Sequence, residues 1–112
     1  MSITKIQIPT TNYEVGRRGK KISKIVIHWI VGNLAAADAV FKKQEGGTSA
    51  HYGIENNIIH QYVDDSSTAY HAGDFSVNLI SIGIEHSASP DKPATETTYK
   101  TSAQLIADLC RK

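Results

Sequence analysis

The sequence predicts an α/β fold, a mixed central β-sheet flanked by helices, on three observations. Lys24-Ile25-Val26-Ile27-His28 is an apolar, β-branched run of strand length. Across residues 79–86, Ile80, Ile82, Ile84 and His86 alternate with Ser81, Gly83 and Glu85, the period-two pattern of a strand. Two stripes at helical spacing, Leu34/Ala37/Val40/Phe41 and Tyr99/Ala103/Ile106/Cys110, lie between and after these runs. The resulting order, β-α-β-β-loop-β-α, implies strands with helices packed on them.

Taken in order, residues 1–21 read as an extended N-terminal arm, because Pro9, Gly16 and Gly19 break any regular element. The first core strand covers 24–28 and reaches toward Ile30. Gly32-Asn33 is a turn, and Asn33 caps a helix over 34–44 that Gly46-Gly47 ends. A hairpin follows, with strands over 49–54 and 58–63 joined at Glu55-Asn56-Asn57. In its first strand Ala50, Tyr52 and Ile54 share one face, leaving His51 and Gly53 on the other. Residues 64–78 are polar and irregular, a loop containing Tyr70-His71-Ala72-Gly73. After the alternating strand, a loop with two prolines leads into a final helix that begins at Thr95 or Glu96 and runs to the end.

A chain of 112 residues gives one domain, 1–112, with a modest single core. Hydrophobic residues make up 40% and charged residues 21%, ordinary values for a globular protein. The net charge of +1 argues against nucleic acid as a partner, and Arg17, Arg18, Lys20 and Lys21 read as a solvated lead-in to the first core strand. Cys110 is the single cysteine, so no intrachain disulfide forms, and its place on the last helical stripe predicts a buried thiol. Residues 1–11 lack the apolar core of a signal peptide, and no run is long enough to cross a membrane. A soluble protein made in the cytoplasm, with no membrane partner, is expected.

Five histidines, His28, His51, His60, His71 and His86, fall on strands or in the loop between strands. Imidazoles on neighbouring strands can converge as a metal site requires, although these spacings match no local metal motif. His28 reads either as a structural strand-end residue or as a ligand aimed from a rigid strand. His60 reads as solvent-facing, and His86 points away from Glu85. Glu85 shares its face only with Ser81 and Gly83, which suggests room for a ligand or water. Desolvated there, its carboxyl would suit a general base near neutral pH; exposed, it is a rim carboxylate.

Four segments, Ile25-Val26-Ile27-His28, Ser49-Ala50-His51-Tyr52-Gly53-Ile54, Tyr70-His71-Ala72-Gly73 and Asn78 with Ser81-Ile82-Gly83-Ile84-Glu85, together resemble the type-2 N-acetylmuramoyl-L-alanine amidases. That family includes phage endolysins and the peptidoglycan recognition proteins, and the resemblance spans about residues 22–112. It implies an amidase-2, peptidoglycan recognition protein-like fold and a zinc-dependent hydrolase of bacterial peptidoglycan, cutting between N-acetylmuramic acid and L-alanine. By position His28 resembles the first zinc ligand and Glu85 the catalytic carboxylate. His51, Tyr52, His71, Gly73 and Asn78 resemble substrate-binding positions. A catalytic tyrosine that some relatives carry falls at Ala50 and does not transfer.

The resemblance also implies that the second and third Zn2+ ligands follow the final helix, downstream of Lys112. Held by His28 alone, the metal is expected to bind weakly and the chain to cut little. A C-terminal cell-wall-binding domain, and action on the wall after release from a host cytoplasm, belong to the same expectation. The alternatives are a non-catalytic peptidoglycan-binding module, or an inactive fragment that needs a partner segment.

Overall fold

In the computed structural model, which describes residues 2–112, strands β1 (Ile3–Lys5), β3 (Lys24–Trp29), β4 (Tyr52–Glu55), β5 (Ile58–Gln61) and β7 (Ser81–His86) form one sheet. Their order is β1-β5-β4-β7-β3. The β4–β5 pair is antiparallel, whereas β1–β5, β4–β7 and β3–β7 are parallel, so the sheet is mixed as predicted. A separate two-stranded ribbon pairs β2 (Tyr13–Glu14) with β6 (Thr68–Ala69). The helices are α1 (Leu34–Lys42), α2 (Phe75–Leu79) and α3 (Glu96–Cys110).

The two faces of the sheet have different cores. On one face Tyr52, Ile54, Ile59, Ile82 and Ile84 pack with Leu105 of α3, joined by Ile25, Ile106 and Leu109. On the other, Ala37 and Phe41 of α1 pack with Ile8, Ala50, Tyr62, Val63 and Ala69. Each fully buried isoleucine contributes about 1.5–3 kcal/mol, so β4 and β7 are held firmly from the α3 side. Alternation leaves Ser81, Gly83 and Glu85 of β7 on the opposite side, where the candidate site stands.

Helix α1 starts as the sequence indicates: the Asn33 side chain accepts from the Ala36 N–H. A second acceptor comes from the sheet, where Glu55 Oε1 takes the Leu34 N–H at 2.8 Å. The helix ends at Lys42, short of the predicted Gln44, and Val40 of the expected stripe is 51% exposed.

Four expectations are corrected. The arm over 1–21 is not devoid of regular elements: β1 adds an edge strand to β5, and β2 pairs with β6. These strands are two or three residues long, too short to carry a periodic signal, and tertiary pairing specifies them. The stretch 64–78 likewise contains β6 and α2 rather than a plain loop. Helix α3 turns a different face inward: Thr98, Ser102 and Leu105 are buried, while Tyr99, Ala103 and Cys110 are exposed. The inward hydroxyls have partners, since Thr98 Oγ1 accepts from the Asn56 N–H and Ser102 bonds the His86 ring, so counting apolar residues misplaced the stripe. His60 does not face solvent; its Nδ1 donates to Asp38 of α1 at 2.9 Å, and Tyr62 donates to the same carboxylate oxygen.

Among the described residues, no helix is long and apolar enough to cross a membrane.

Candidate active site

The site is built on the β3–β7 ladder. In this parallel pair His28 is the register partner of Glu85, so both side chains leave the sheet on the same face at the same level. On the other side of Glu85, β4 presents Gly53 as its register partner. A Cβ at position 53 would lie 2.7 Å from Leu34 Cδ1 and 2.9 Å from the Tyr62 hydroxyl. The missing side chain thus lets α1 and Tyr62 close over the strand beside Glu85.

Glu85 is half-buried, and its Oε1 atom is buried with no hydrogen-bond partner among the described residues. Desolvation raises its pKa to about 7. A carboxyl so placed exchanges a proton near neutrality, which is what a general base or acid requires. Of the two sequence readings, the geometry selects the desolvated carboxyl over the exposed rim carboxylate.

His71 completes the cluster from the loop between β6 and α2. Its Nδ1 lies 2.9 Å from His28 Nε2, and the two rings meet edge to face with centroids 5.1 Å apart. On its far side His71 Nε2 lies 3.0 Å from Ser81 Oγ, and the Ser81 hydroxyl donates to the Val77 carbonyl at 2.6 Å. The room cleared by Ser81 and Gly83 is therefore not left for a ligand. A Cβ at Gly83 would sit 2.5 Å from His71 Cγ, so the glycine seats this ring. The loop is shaped by Asn78, whose Oδ1 accepts from the His71 and Ala72 N–H groups at 3.2 and 2.9 Å. Gly73 follows at φ +71, a turn conformation that suits glycine, and it is exposed.

Three predicted substrate contacts are corrected. His51 is 0% exposed and offers no surface to a substrate. Its Nδ1 accepts from the Gly83 N–H at 3.1 Å, which leaves Nε2 protonated and donating to the Ser67 carbonyl at 2.9 Å. Arg17 Nη2, 3.0 Å from the same Nε2, is then a donor beside a donor rather than a hydrogen-bond partner. Burial, with the adjacent Arg17 charge opposing protonation, lowers the His51 pKa to about 4. Tyr52 is buried on the α3 face, away from His28 and Glu85, and donates to Asp65 at 2.6 Å. Asn78 is buried as well and acts on the loop backbone. The alternation that put Tyr52 opposite His51 already contained its placement.

Arg17 is buried rather than solvated. Its guanidinium donates to the Leu79 carbonyl at 2.9 Å and its Nε to the Asp65 carbonyl at 2.9 Å, tying the N-terminal segment to the loop behind the site. His86, as predicted, points away from Glu85, and it bonds Ser102 of α3. A groove of about 970 Å³ lies elsewhere, beside the end of α3, and includes none of His28, His71 and Glu85.

A catalytic zinc takes three protein donors and an open position. His28 fits as one donor: its Nδ1 makes no hydrogen bond among the described residues, and burial followed by the neighbouring His86 lowers its pKa, favouring the neutral ring a metal needs. No group of three candidate ligands occurs among the described residues. Against that requirement the described residues offer His28 as one suitable donor and no group of three.

Comparison with known proteins converges on one family. A family model described as "N-acetylmuramoyl-L-alanine amidase" matches residues 18–112. The chain is 26% identical over 107 residues to a Bacillus licheniformis protein named "Probable N-acetylmuramoyl-L-alanine amidase", covering 80% of this chain and 30% of that protein. It thus spans less than a third of that relative's length. Among solved structures, a selenomethionine derivative of AmpD superposes with a TM-score of 0.80 at 23% identity, over 96% of this chain and 73% of that one. The catalytic domain of XlyA gives 0.77 at 24% identity, over 97% and 75%. The N-acetylmuramoyl-L-alanine amidase LysC from Clostridium intestinale gives 0.77 at 18% identity, over 99% and 76%. At these identities the superpositions establish a shared fold.

Proposed function

Because the chain belongs to the N-acetylmuramoyl-L-alanine amidase family, we propose that it hydrolyses the amide between N-acetylmuramic acid and the L-alanine of the peptidoglycan stem peptide. The observation that carries this reading is the in-register pair of His28 and Glu85, with a buried, unpartnered carboxylate oxygen whose group titrates near pH 7. In this assignment Glu85 accepts the proton of the water that attacks the lactyl carbonyl. It then returns that proton to the departing amine of L-alanine. A carboxylate whose pKa is raised to about 7 takes that proton more readily than an ordinary glutamate and still gives it back. His71 braces His28 from the side, and the exposed Gly73 lets a substrate approach the loop backbone closely.

Zinc dependence belongs to the same proposal. The ion would be held in part by His28 and would supply Lewis-acid activation of the scissile carbonyl. A role as a phage endolysin, made in a host cytoplasm and acting on the wall after release, is the corresponding biological reading. It is supported by the likeness of fold to a mutant endolysin from Bacillus subtilis, with a TM-score of 0.73.

The test is release of free amino groups from purified peptidoglycan, with and without added zinc, by the wild type and Glu85→Gln. Turnover by the variant is expected to fall by about 10²-fold or more, the usual contribution of a positioned base, with sedimentation on peptidoglycan unchanged. Wild-type turnover in Glu85→Gln would overturn the assigned base. Peptidoglycan binding with no amine release from the wild type would replace the hydrolase with a binding module.

A further inference from the structure

The contacts behind His28 run in one direction. A backbone carbonyl only accepts, so at 2.6 Å from the Val77 oxygen the single Ser81 hydroxyl proton is committed to it. Ser81 Oγ then has only lone pairs for its 3.0 Å contact with His71, which makes His71 Nε2 the donor. A neutral imidazole that donates from Nε2 keeps its lone pair on Nδ1. Across the 2.9 Å contact with His71 Nδ1, His28 Nε2 must therefore donate.

We infer that Val77, Ser81 and His71 form a one-way hydrogen-bond relay that fixes His28 as its Nε2–H tautomer and leaves Nδ1 as its only coordinating atom. Ser81 and His71 are positioning residues in this account; neither touches the reacting atoms. The relay also explains two sequence features that otherwise lack a purpose. Gly83 leaves space for the His71 ring, and Asn78 holds the backbone N–H groups of residues 71 and 72, fixing the root of that side chain. An imidazole held this way presents one lone pair in one direction, which is how outer partners of a metal-binding histidine fix its tautomer and raise its affinity.

The functional meaning of the relay rests on the reading of His28 as a donor, but the relay itself is measurable without turnover or metal. Long-range ¹H–¹⁵N correlation spectra of the chelator-treated, uniformly labelled chain report each ring nitrogen as protonated or lone-pair type. The expected pattern at neutral pH is a protonated Nε2 and a lone-pair Nδ1 for both His28 and His71. In Ser81→Ala, the His71 Nε2–H loses its acceptor, and both rings are expected to move to averaged, intermediate nitrogen shifts. A protonated Nδ1 on His28 in the wild type overturns the relay, as does a His28 pattern unchanged in Ser81→Ala. The wild-type spectrum decides the case even where the variant fails to fold. Correct tautomers together with no amine release would leave the relay standing and remove the hydrolase reading alone.

Discussion

The ring of His71 occupies the volume that a side chain at Gly83 would need, with Cγ only 2.5 Å from the position of a Cβ there. One glycine of β7 is therefore the seat of a histidine from a different part of the chain. Gly83→Ala must push that ring aside, because the strand is fixed by its isoleucine neighbours on the other face. Overpacking of this kind costs about 1–3 kcal/mol. A urea titration should show that loss, and the His28–His71 contact should open with it. An alanine variant as stable as the wild type would place the ring elsewhere.

Glu85 weighs against stability at neutral pH. Its folded pKa, about 7, lies above the 4.5 of an ordinary glutamate, so between these values the native chain holds a proton that the unfolded chain has lost. Its contribution is fully present below pH 4.5 and is lost as pH rises through 7. Glu85→Gln removes that loss. The variant is expected to be more stable than the wild type at pH 8, with the difference shrinking toward pH 4.5. Thermal melts across this range check it, and equal melting temperatures at pH 8 would count against a desolvated carboxylate.

The buried rings act in the opposite sense. His51 and His71 both have folded pKa values of about 4, below the 6.5 of free histidine. Above pH 6.5 their contribution is complete. As pH falls from 6.5 toward 4, the unfolded chain binds protons that the native rings refuse, and stability drops. Glu85 opposes this over part of the window, so Glu85→Gln should steepen the acid loss. Urea midpoints from pH 7 to 4.5 measure the slope. A flat profile in Glu85→Gln would mean that the rings are not neutral in the fold.

Asn78 gives a test of holding against touching. Asn78→Ala leaves the N–H groups of His71 and Ala72 without their acceptor, at a cost of about 1–3 kcal/mol. Faster amide exchange at those two residues is the expected signature in the free protein. If exchange there stays slow, Asn78 does not organise the loop.

The pairing of His28 with Glu85 was largely legible in the sequence, because alternation in two apolar strands fixes which face each residue takes. Register was not: nothing local says that residue 28 stands beside 85 rather than 83. The role of His71 was legible only in outline. Its loop motif marked it, but the space at Gly83 looked like room for a ligand, and only the tertiary fold shows a ring filling it. His51 and Arg17 misled for a common reason. Both are polar, and their burial depends on carbonyls and N–H groups supplied by segments distant in sequence. The inward face of α3 was misplaced because Thr98 and Ser102 satisfy their hydroxyls against the sheet, which an apolar count does not register.

The β3–β7 ladder also sets when the site can exist. The His28 carbonyl and the His86 ring that meet along it are 58 residues apart in the chain. Everything between them, α1, the β4–β5 hairpin and α2, must be threaded into one loop before these strands meet, and closing such a loop is entropically slow. During synthesis, no nascent chain that stops short of β7 can hold Glu85 beside His28. That pairing is withheld until the sheet is nearly whole, so a half-made chain carries the motifs without the geometry that joins them.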